Sequence, residues 1–155
     1  MRAQKNGLVK FHSNLMATLF NELFRIETVD RGRYDRVARI QATCIASSDM
    51  TLTLDVNTDL FAVTPGETIT VAISNTLSPN GEAPARSWRP PKMSEASLAD
   101  EYQYVMHGPV YGFAESTGDN LVLYASFGGL LMSLDGPHRH MASLKQEQIF
   151  LLIRR

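Results

Sequence analysis

The chain has 155 residues, of which 44% are hydrophobic and 20% are charged, and its formal net charge is −1. This length and composition support one domain with a real core, and they exclude a wholly disordered protein. The small net charge excludes a strong whole-molecule attraction to nucleic acid or to a membrane surface. The single cysteine, Cys44, excludes an internal disulfide, and its place in an alternating apolar run predicts a buried, inert thiol.

The first 17 residues differ in charge from the rest of the chain. They carry three basic side chains and no acid, which gives this segment a formal charge of +3. Lys10 and His12 interrupt the apolar run that a signal peptide needs, and the segment lacks the arginine and serine richness of a mitochondrial targeting peptide. We expect residues 1–17 to form a basic, disordered extension and residues 18–155 to form a single domain. No apolar run approaches the roughly 20 residues of a membrane helix, so no membrane partner is expected.

Apolar and polar residues alternate along most of the remaining chain, which is the period of a half-buried β-strand. In MTLTLDVN, for example, Leu52, Leu54 and Val56 share one face and Asp55 lies on the other. Residues 118–120 supply a hairpin turn. The alternating segments are LFRIETV, YDRVARIQATCI, MTLTLDVN, ETITVAIS, EYQYVMH, PVYGFAES, LVLYASF and QIFLLIRR. The pattern predicts an all-β fold of about eight antiparallel strands closed into a small barrel.

One long segment interrupts the alternation. Residues 77–99 are rich in proline, glycine, serine and charge, which predicts a long mobile surface loop. Trp88, followed by Arg89, Pro90 and Pro91, is expected to pin its far end. Short helical turns are expected over residues 97–102 and around residues 141–145.

The stretch SFGGLLMSLDG, residues 126–136, places two glycines beside the most apolar run of the chain. Gly128 and Gly129 allow a tight turn or a bulge and the close approach of another backbone. One face of the run from Leu130 to Leu134 should fill the barrel, and the other would be apolar surface that soluble proteins usually cover with a partner. The alternative is that the glycines only turn the chain and the leucines only pack.

Signatures of catalysis and of cofactor binding are absent from the sequence, which contains no GxxxxGK[ST], GxGxxG or GxSxG motif. His138 and His140 follow a Gly-Pro loop signal, and solvent-exposed histidines are favoured over metal ligands there. Asp55 and Asp59 flank a strand end and are expected to be solvated. We therefore predict no catalytic residue, metal site or cofactor.

A basic cluster lies in DRGRYDRVAR, residues 30–39. Arginines interleaved with an aromatic side chain are typical of single-strand nucleic-acid binding, through phosphate attraction and base stacking. The alternative is a turn followed by a solvated strand face, since strand alternation cannot place all four arginines on one side. The candidate nucleic-acid-binding residues are Arg31, Arg33, Tyr34, Arg36 and Arg39.

Several motifs together resemble a known family over about residues 18–155. They are RSWRPP, SLADEYQYVMHG, SFGGLLMSLDG and the terminal FLLIRR, supported by LTLDVN and LFNELFRIETVDRGRYDRVARI. In this order they are similar to the small β-barrel subunit shared by the three eukaryotic nuclear RNA polymerases, in its fungal form. The chain departs from the family pattern at His107, where tyrosine is usual, and in its first sixteen residues, which have no counterpart.

The resemblance implies an eight-stranded barrel related to oligonucleotide-binding (OB) folds. It also implies a non-catalytic subunit in the nucleus, including the nucleolus, docked on the largest subunit of RNA polymerases I, II and III among their other subunits. A weak, non-specific contact with single-stranded DNA is implied for the region from Asp30 to about Thr53. Joined to the surface argument above, it suggests a partner interface on the segments 104–111 and 127–131. The residues chosen for it are Tyr104, Met106, Tyr111, Phe127, Gly128, Gly129, Leu130 and Leu131.

Two other function classes remain as alternatives. A free-standing single-stranded nucleic-acid-binding module would depend on the arginine cluster and Tyr34. An enzyme on a barrel scaffold is favoured less than either this module or the polymerase subunit, because no pair of nucleophile and base is visible in the sequence.

Overall fold

The computed structural model describes residues 18–77 and 97–155, which form eight β-strands and three short helical turns. The alternating pattern explains the strands, because every second side chain along them is buried. The strands are β1 (Thr18–Tyr34), β2 (Val37–Cys44), β3 (Thr51–Asn57), β4 (Thr68–Ser74), β5 (Tyr104–Glu115), β6 (Asn120–Phe127), β7 (Leu130–Pro137) and β8 (Gln148–Arg154).

The strands close into a barrel in the order β1-β2-β3-β7-β6-β5-β8-β4, and every neighbouring pair is antiparallel. Four of the pairs join strands that are consecutive in the chain, namely β1–β2, β2–β3, β5–β6 and β6–β7. The other four, β3–β7, β5–β8, β4–β8 and β1–β4, join strands that are not consecutive. This arrangement confirms the predicted all-β class and the closed barrel. The barrel interior is fully apolar at its centre, where the largest buried side chains include Phe24, Ile40, Leu54, Leu123 and Leu134.

The segments EYQYVMH and PVYGFAES are one strand, β5, rather than the two that the alternation suggested. The strand changes partner midway, pairing with β8 over residues 104–109 and with β6 from Val110 onward. Gly108 lies at the crossing, where a Cβ atom would stand 2.0 Å from the carbonyl oxygen of Ser126. Only glycine fits such a close approach of two backbones, so this position lets β5 pass from one neighbour to the other.

The two glycines of SFGGLLMSLDG form the turn that joins β6 to β7. Phe127 pairs with Leu130, and the φ angles of Gly128 and Gly129 are 64° and 98°. Two successive residues with positive φ make the mirror-image turn that suits the twist of a two-residue hairpin, and glycine adopts it without steric penalty. The tight turn that the sequence predicted is therefore confirmed.

The predicted helical turns are confirmed at both places. A 3₁₀ turn spans Leu98–Glu101, where the Ser97 hydroxyl accepts from the Ala99 amide at 3.1 Å and the Asp100 carboxylate accepts from the Ser97 amide at 3.1 Å. A short helix at His138–Met141 continues into a 3₁₀ turn at Ala142–Leu144. The N-terminal residues 1–17 and most of the predicted loop, including Trp88 and Arg89 to Pro91, lie outside the described residues.

Candidate functional site

Two members of the predicted arginine cluster hold the loop that follows β3. The Arg31 guanidinium donates to the carbonyl oxygen of Val63 at 2.7 Å. Arg36 lies in the turn between β1 and β2 with a φ of 62°, and its Nε is 3.4 Å from an Asp59 carboxylate oxygen. Both side chains of this pair are largely exposed, so the ion pair contributes little to stability. The side chains of Arg33 and Tyr34 lie outside the described part of the chain.

Arg39 has a different environment, because it forms a bidentate ion pair with Asp55 on the neighbouring strand. The two residues face each other in the β2–β3 register. The Nε atom of Arg39 donates to Oδ1 of Asp55 at 2.7 Å, and Nη2 donates to Oδ2 at 3.0 Å. The Asp55 side chain is only 6% exposed, and that of Arg39 is 25% exposed. The planar guanidinium fork matches the carboxylate, which makes this the strongest type of protein ion pair.

The same carboxylate reaches the glycine turn. Oδ2 of Asp55 accepts a hydrogen bond from the backbone amide of Leu131 at 3.1 Å. The sequence suggested two separate sites, one around residues 31–39 and one around residues 104–131. The structure brings Arg39 and Leu131 together through Asp55, so these parts of the two sites are contiguous on the outside of the barrel. The expectation that Asp55 is a solvated strand-end acid was wrong, because its neighbours on both sides cover it.

Three residues of the predicted partner interface belong to the barrel core. Tyr104 is 4% exposed, Met106 8% and Phe127 6%. The Tyr104 ring stacks on Phe61 with centroids 5.5 Å apart, and its hydroxyl oxygen accepts from the Asn57 amide at 3.0 Å. Burial raises the pKa of the Tyr104 phenol. These side chains shape the barrel wall and offer little surface of their own in the isolated chain.

The remaining predicted interface residues lie on β5 and β7, the two strands that flank β6, and in the turn that joins β6 to β7. Tyr111 is 59% exposed at an irregularity between β5 and β6, where Val110 pairs with Ala125 and Gly112 with Tyr124. An extra residue of this kind re-aims its side chain. The rings of Tyr111 and Tyr124 stack with centroids 6.0 Å apart, and Leu131 on β7 is 41% exposed. We call this surface the hairpin face, and it consists of Tyr111, Tyr124, Gly128, Gly129 and Leu131.

Leu130 differs from its neighbour Leu131. It is half-buried and packs against the core, as the alternation along β7 requires. The sequence therefore predicted one inward and one outward face for this run correctly. It did not identify Tyr124 or Asp55 as members of the site, although the outward parity of Asp55 in TLTLDVN was already a usable signal.

Other chemistry finds no support among residues 18–77 and 97–155. No group of three His, Cys, Asp or Glu side chains there could hold a metal ion. His138 is exposed and His140 is half-buried at the short helix, and Cys44 is a buried free thiol, as expected. In the same two ranges, no helix has the length and apolar character to cross a membrane.

Comparison with known proteins gives a consistent match over nearly the whole chain. A family model described as RNA polymerase Rpb8 matches residues 21–155. The chain is 46% identical over 143 residues to the DNA-directed RNA polymerases I, II, and III subunit RPABC3 of Saccharomyces cerevisiae, covering 89% of this chain and 98% of that protein. It is 33% identical over 139 residues to the protein of the same name from Schizosaccharomyces pombe, covering 90% and 98%.

A plant relative extends the match beyond fungi. The DNA-directed RNA polymerases II, IV and V subunit 8B of Arabidopsis thaliana is 34% identical over 142 residues, covering 88% of this chain and 95% of that protein. The matched region includes every element of the barrel after the first residues of β1. The chain therefore belongs to the RNA polymerase Rpb8 family.

Proposed function

We propose that the protein is a non-catalytic subunit shared by RNA polymerases I, II and III, and that it supports their assembly. The observation that carries this proposal is the 46% identity to a yeast subunit of that name over nearly the full length of both chains. On this proposal, the protein resides in the nucleus, including the nucleolus. A tagged full-length chain should then co-purify with the large subunits of all three polymerases, and recovery without any of them would refute the proposal.

We further propose that the hairpin face docks on the largest polymerase subunit. Two large apolar side chains, Tyr111 and Leu131, are 59% and 41% exposed on β5 and β7, the two strands that flank β6. Aromatic and aliphatic side chains of this kind form the buried centres of protein interfaces. The turn residues Gly128 and Gly129 are exposed, and a Cβ atom added at either would meet nothing within 4 Å. A partner could therefore approach this backbone closely.

The docking proposal is tested by Leu131→Asp, with Leu23→Asp as the matched control. Leu23 is 48% exposed on β1, which pairs with β2 and β4 and with no strand of the hairpin face, so both changes replace an exposed leucine by the same charge. We expect Leu131→Asp to reduce co-purification of the largest subunit at least fivefold, while Leu23→Asp leaves it unchanged. Leu130→Asp is unsuitable because Leu130 packs against the core. Normal assembly of a folded Leu131→Asp variant would exclude this face.

A weak contact with single-stranded DNA is proposed for the exposed arginines at the β1–β2 turn. Arg36 supports it best, because its side chain is 72% exposed and its carboxylate partner is also exposed and displaceable. The variant Arg36→Asn suits the left-handed backbone of this position while it removes the charge. Loss of one phosphate contact should lower the salt slope of single-strand binding by about 0.7. An unchanged slope would exclude Arg36 as a contact.

The free-standing nucleic-acid-binding module is not favoured. Arg31 and Arg39 both donate to acceptors of the protein itself, so two of the expected phosphate ligands already have structural partners. The named relatives are polymerase subunits, and the family match covers the barrel from residue 21 onward.

A further inference from the structure

The β3–β7 ladder stops within both strands, since β3 continues to Asn57 and β7 begins at Leu130. Backbone pairing runs from Thr51 with Asp135 to Leu54 with Met132. The next positions along the two strands are Asp55 and Leu131. There the amide of Leu131 donates to the Asp55 carboxylate at 3.1 Å. Close to the glycine turn, the Asp55 side chain thus replaces the backbone hydrogen bonds that join β3 and β7.

We propose that Arg39 and Asp55 are positioning residues that hold the hairpin face in its docking geometry. This inference rests on the proposed function, because it concerns the same docking surface. Arg39 fixes the carboxylate plane of Asp55 through two hydrogen bonds, and the fixed carboxylate then holds the backbone at Leu131. The arginine acts on the partner through Asp55 and touches neither the partner nor a nucleic acid in this role.

The Arg39 guanidinium, the Asp55 carboxylate and the Leu131 amide depend on one another. A carboxylate buried at this level must be paired and hydrogen-bonded to remain charged, and Arg39 supplies the pairing charge. If Arg39 loses its guanidinium, the carboxylate is free to turn or to take up a proton, and its bond to the Leu131 amide weakens. If Asp55 loses its carboxylate, the Leu131 amide lacks this acceptor whatever Arg39 does. Substitutions at the two positions should therefore have strongly non-additive effects.

Hydrogen exchange of the Leu131 amide, followed by NMR on the full chain, tests directly whether Arg39 and Asp55 hold the backbone at Leu131. We expect the rate to rise at least tenfold in Asp55→Ala and in Arg39→Met, and to rise less in the isosteric Asp55→Asn. The reference is the Cys44 amide, which donates to the Met50 carbonyl at 2.9 Å and lies outside this network. A faster Cys44 exchange rate indicates a loss of global stability, whereas a faster rate at Leu131 alone indicates local opening. A Leu131 rate that stays within twofold of the wild type, relative to Cys44, in all three variants would overturn the proposal.

Assembly with the largest subunit, measured where every variant is fully folded, tests the consequence. Arg39→Met and Asp55→Asn should each weaken co-purification, and the double variant should be no weaker than the more severe single one. Arg39→Lys keeps the charge but lacks the fork, so it should recover part of the loss. Additive losses, or normal assembly of both single variants, would overturn the positioning role.

A nucleic-acid role for Arg39 predicts a different outcome. In that case Arg39→Met would weaken single-stranded DNA binding, while Asp55→Asn would leave it unchanged or strengthen it, and both would assemble normally. That result would overturn the proposal. Normal assembly of Leu131→Asp would refute the docking face itself, and the exchange rates would still decide whether the pair holds the turn.

Discussion

The close approach at Gly108 makes a strong prediction about barrel stability. An alanine there would place its Cβ atom 2.0 Å from the Ser126 carbonyl oxygen, 2.9 Å from the Ser126 carbonyl carbon and 3.1 Å from Cα of Phe127. All three atoms belong to the backbone of β6, so no flexible side chain can move aside. Gly108→Ala must therefore separate β5 from β6, where β5 exchanges one neighbour for the other.

The expected loss follows from this geometry. Adding a methyl group to a well-packed site destabilises by about 1–3 kcal/mol when side chains can adjust. Because the clash at Gly108 is with backbone, we expect about 3 kcal/mol or more in the free energy of unfolding. For a chain of this size, this corresponds to a fall of about 6–12 °C in the melting temperature.

Urea unfolding of the full-length chain, followed by circular dichroism, measures this loss. The matched control is Gly112→Ala on the same strand, where a Cβ atom would lie 3.8 Å from a ring carbon of Tyr124, an ordinary contact. Since alanine restricts the unfolded chain more than glycine does, this control should be neutral or more stable by about 0.5 kcal/mol. Equal stabilities of the two variants would refute the account of why β5 can change partners.

Four further predictions concern individual residues. Tyr104→Phe removes the acceptor of the Asn57 amide and should lower the unfolding free energy by about 1 kcal/mol in urea titrations; no loss would contradict the bond. Burial raises the pKa of the Tyr104 phenol, so the contribution of this group to the free energy of unfolding is fully present below the ordinary tyrosine pKa of about 10 and is lost as the pH rises through the folded-state pKa. The loss of stability at alkaline pH should therefore be smaller in Tyr104→Phe than in the wild type. An equal loss in both would exclude this cause. Gly128→Val should destabilise by about 1–2 kcal/mol because its φ is 64°, whereas Gly128→Asn should be nearly neutral by thermal melting, and equal melting temperatures would argue against the turn geometry. The Ser47 hydroxyl is the main cause of the lowered pKa of Asp49, so Ser47→Ala should raise that pKa in an NMR titration, and an unchanged value would reject the contact as its cause.

The alternation of side chains predicted the barrel well, because it records directly which residues face a core. It placed Leu54 and Asp55 on opposite faces of one strand, and it predicted one inward and one outward face for the run from Leu130 to Leu134. It could not show that Asp55 is buried, since that depends on β2 and β7 lying on either side of β3. The β3–β7 pair joins residues about 80 positions apart, and no local pattern encodes such a pairing.

The predicted interface shows the same limit. Tyr104, Met106 and Phe127 were chosen because large side chains suit an interface, yet they fill the barrel. Segment 104–111 carries large side chains on both of its faces, so composition alone cannot tell which face is inside. The change of partner at Gly108 and the irregularity at Tyr111 settle the question, and both arise from contacts with other strands.

The most direct test of the docking account is hydroxyl-radical footprinting of the free chain and of the chain within a purified polymerase. Tyr111 and Leu131 should react at least fivefold more slowly in the assembled enzyme, while Leu23 on β1 keeps its rate. If both residues of the hairpin face react equally fast in the two states, the polymerase does not cover this surface and the account is wrong.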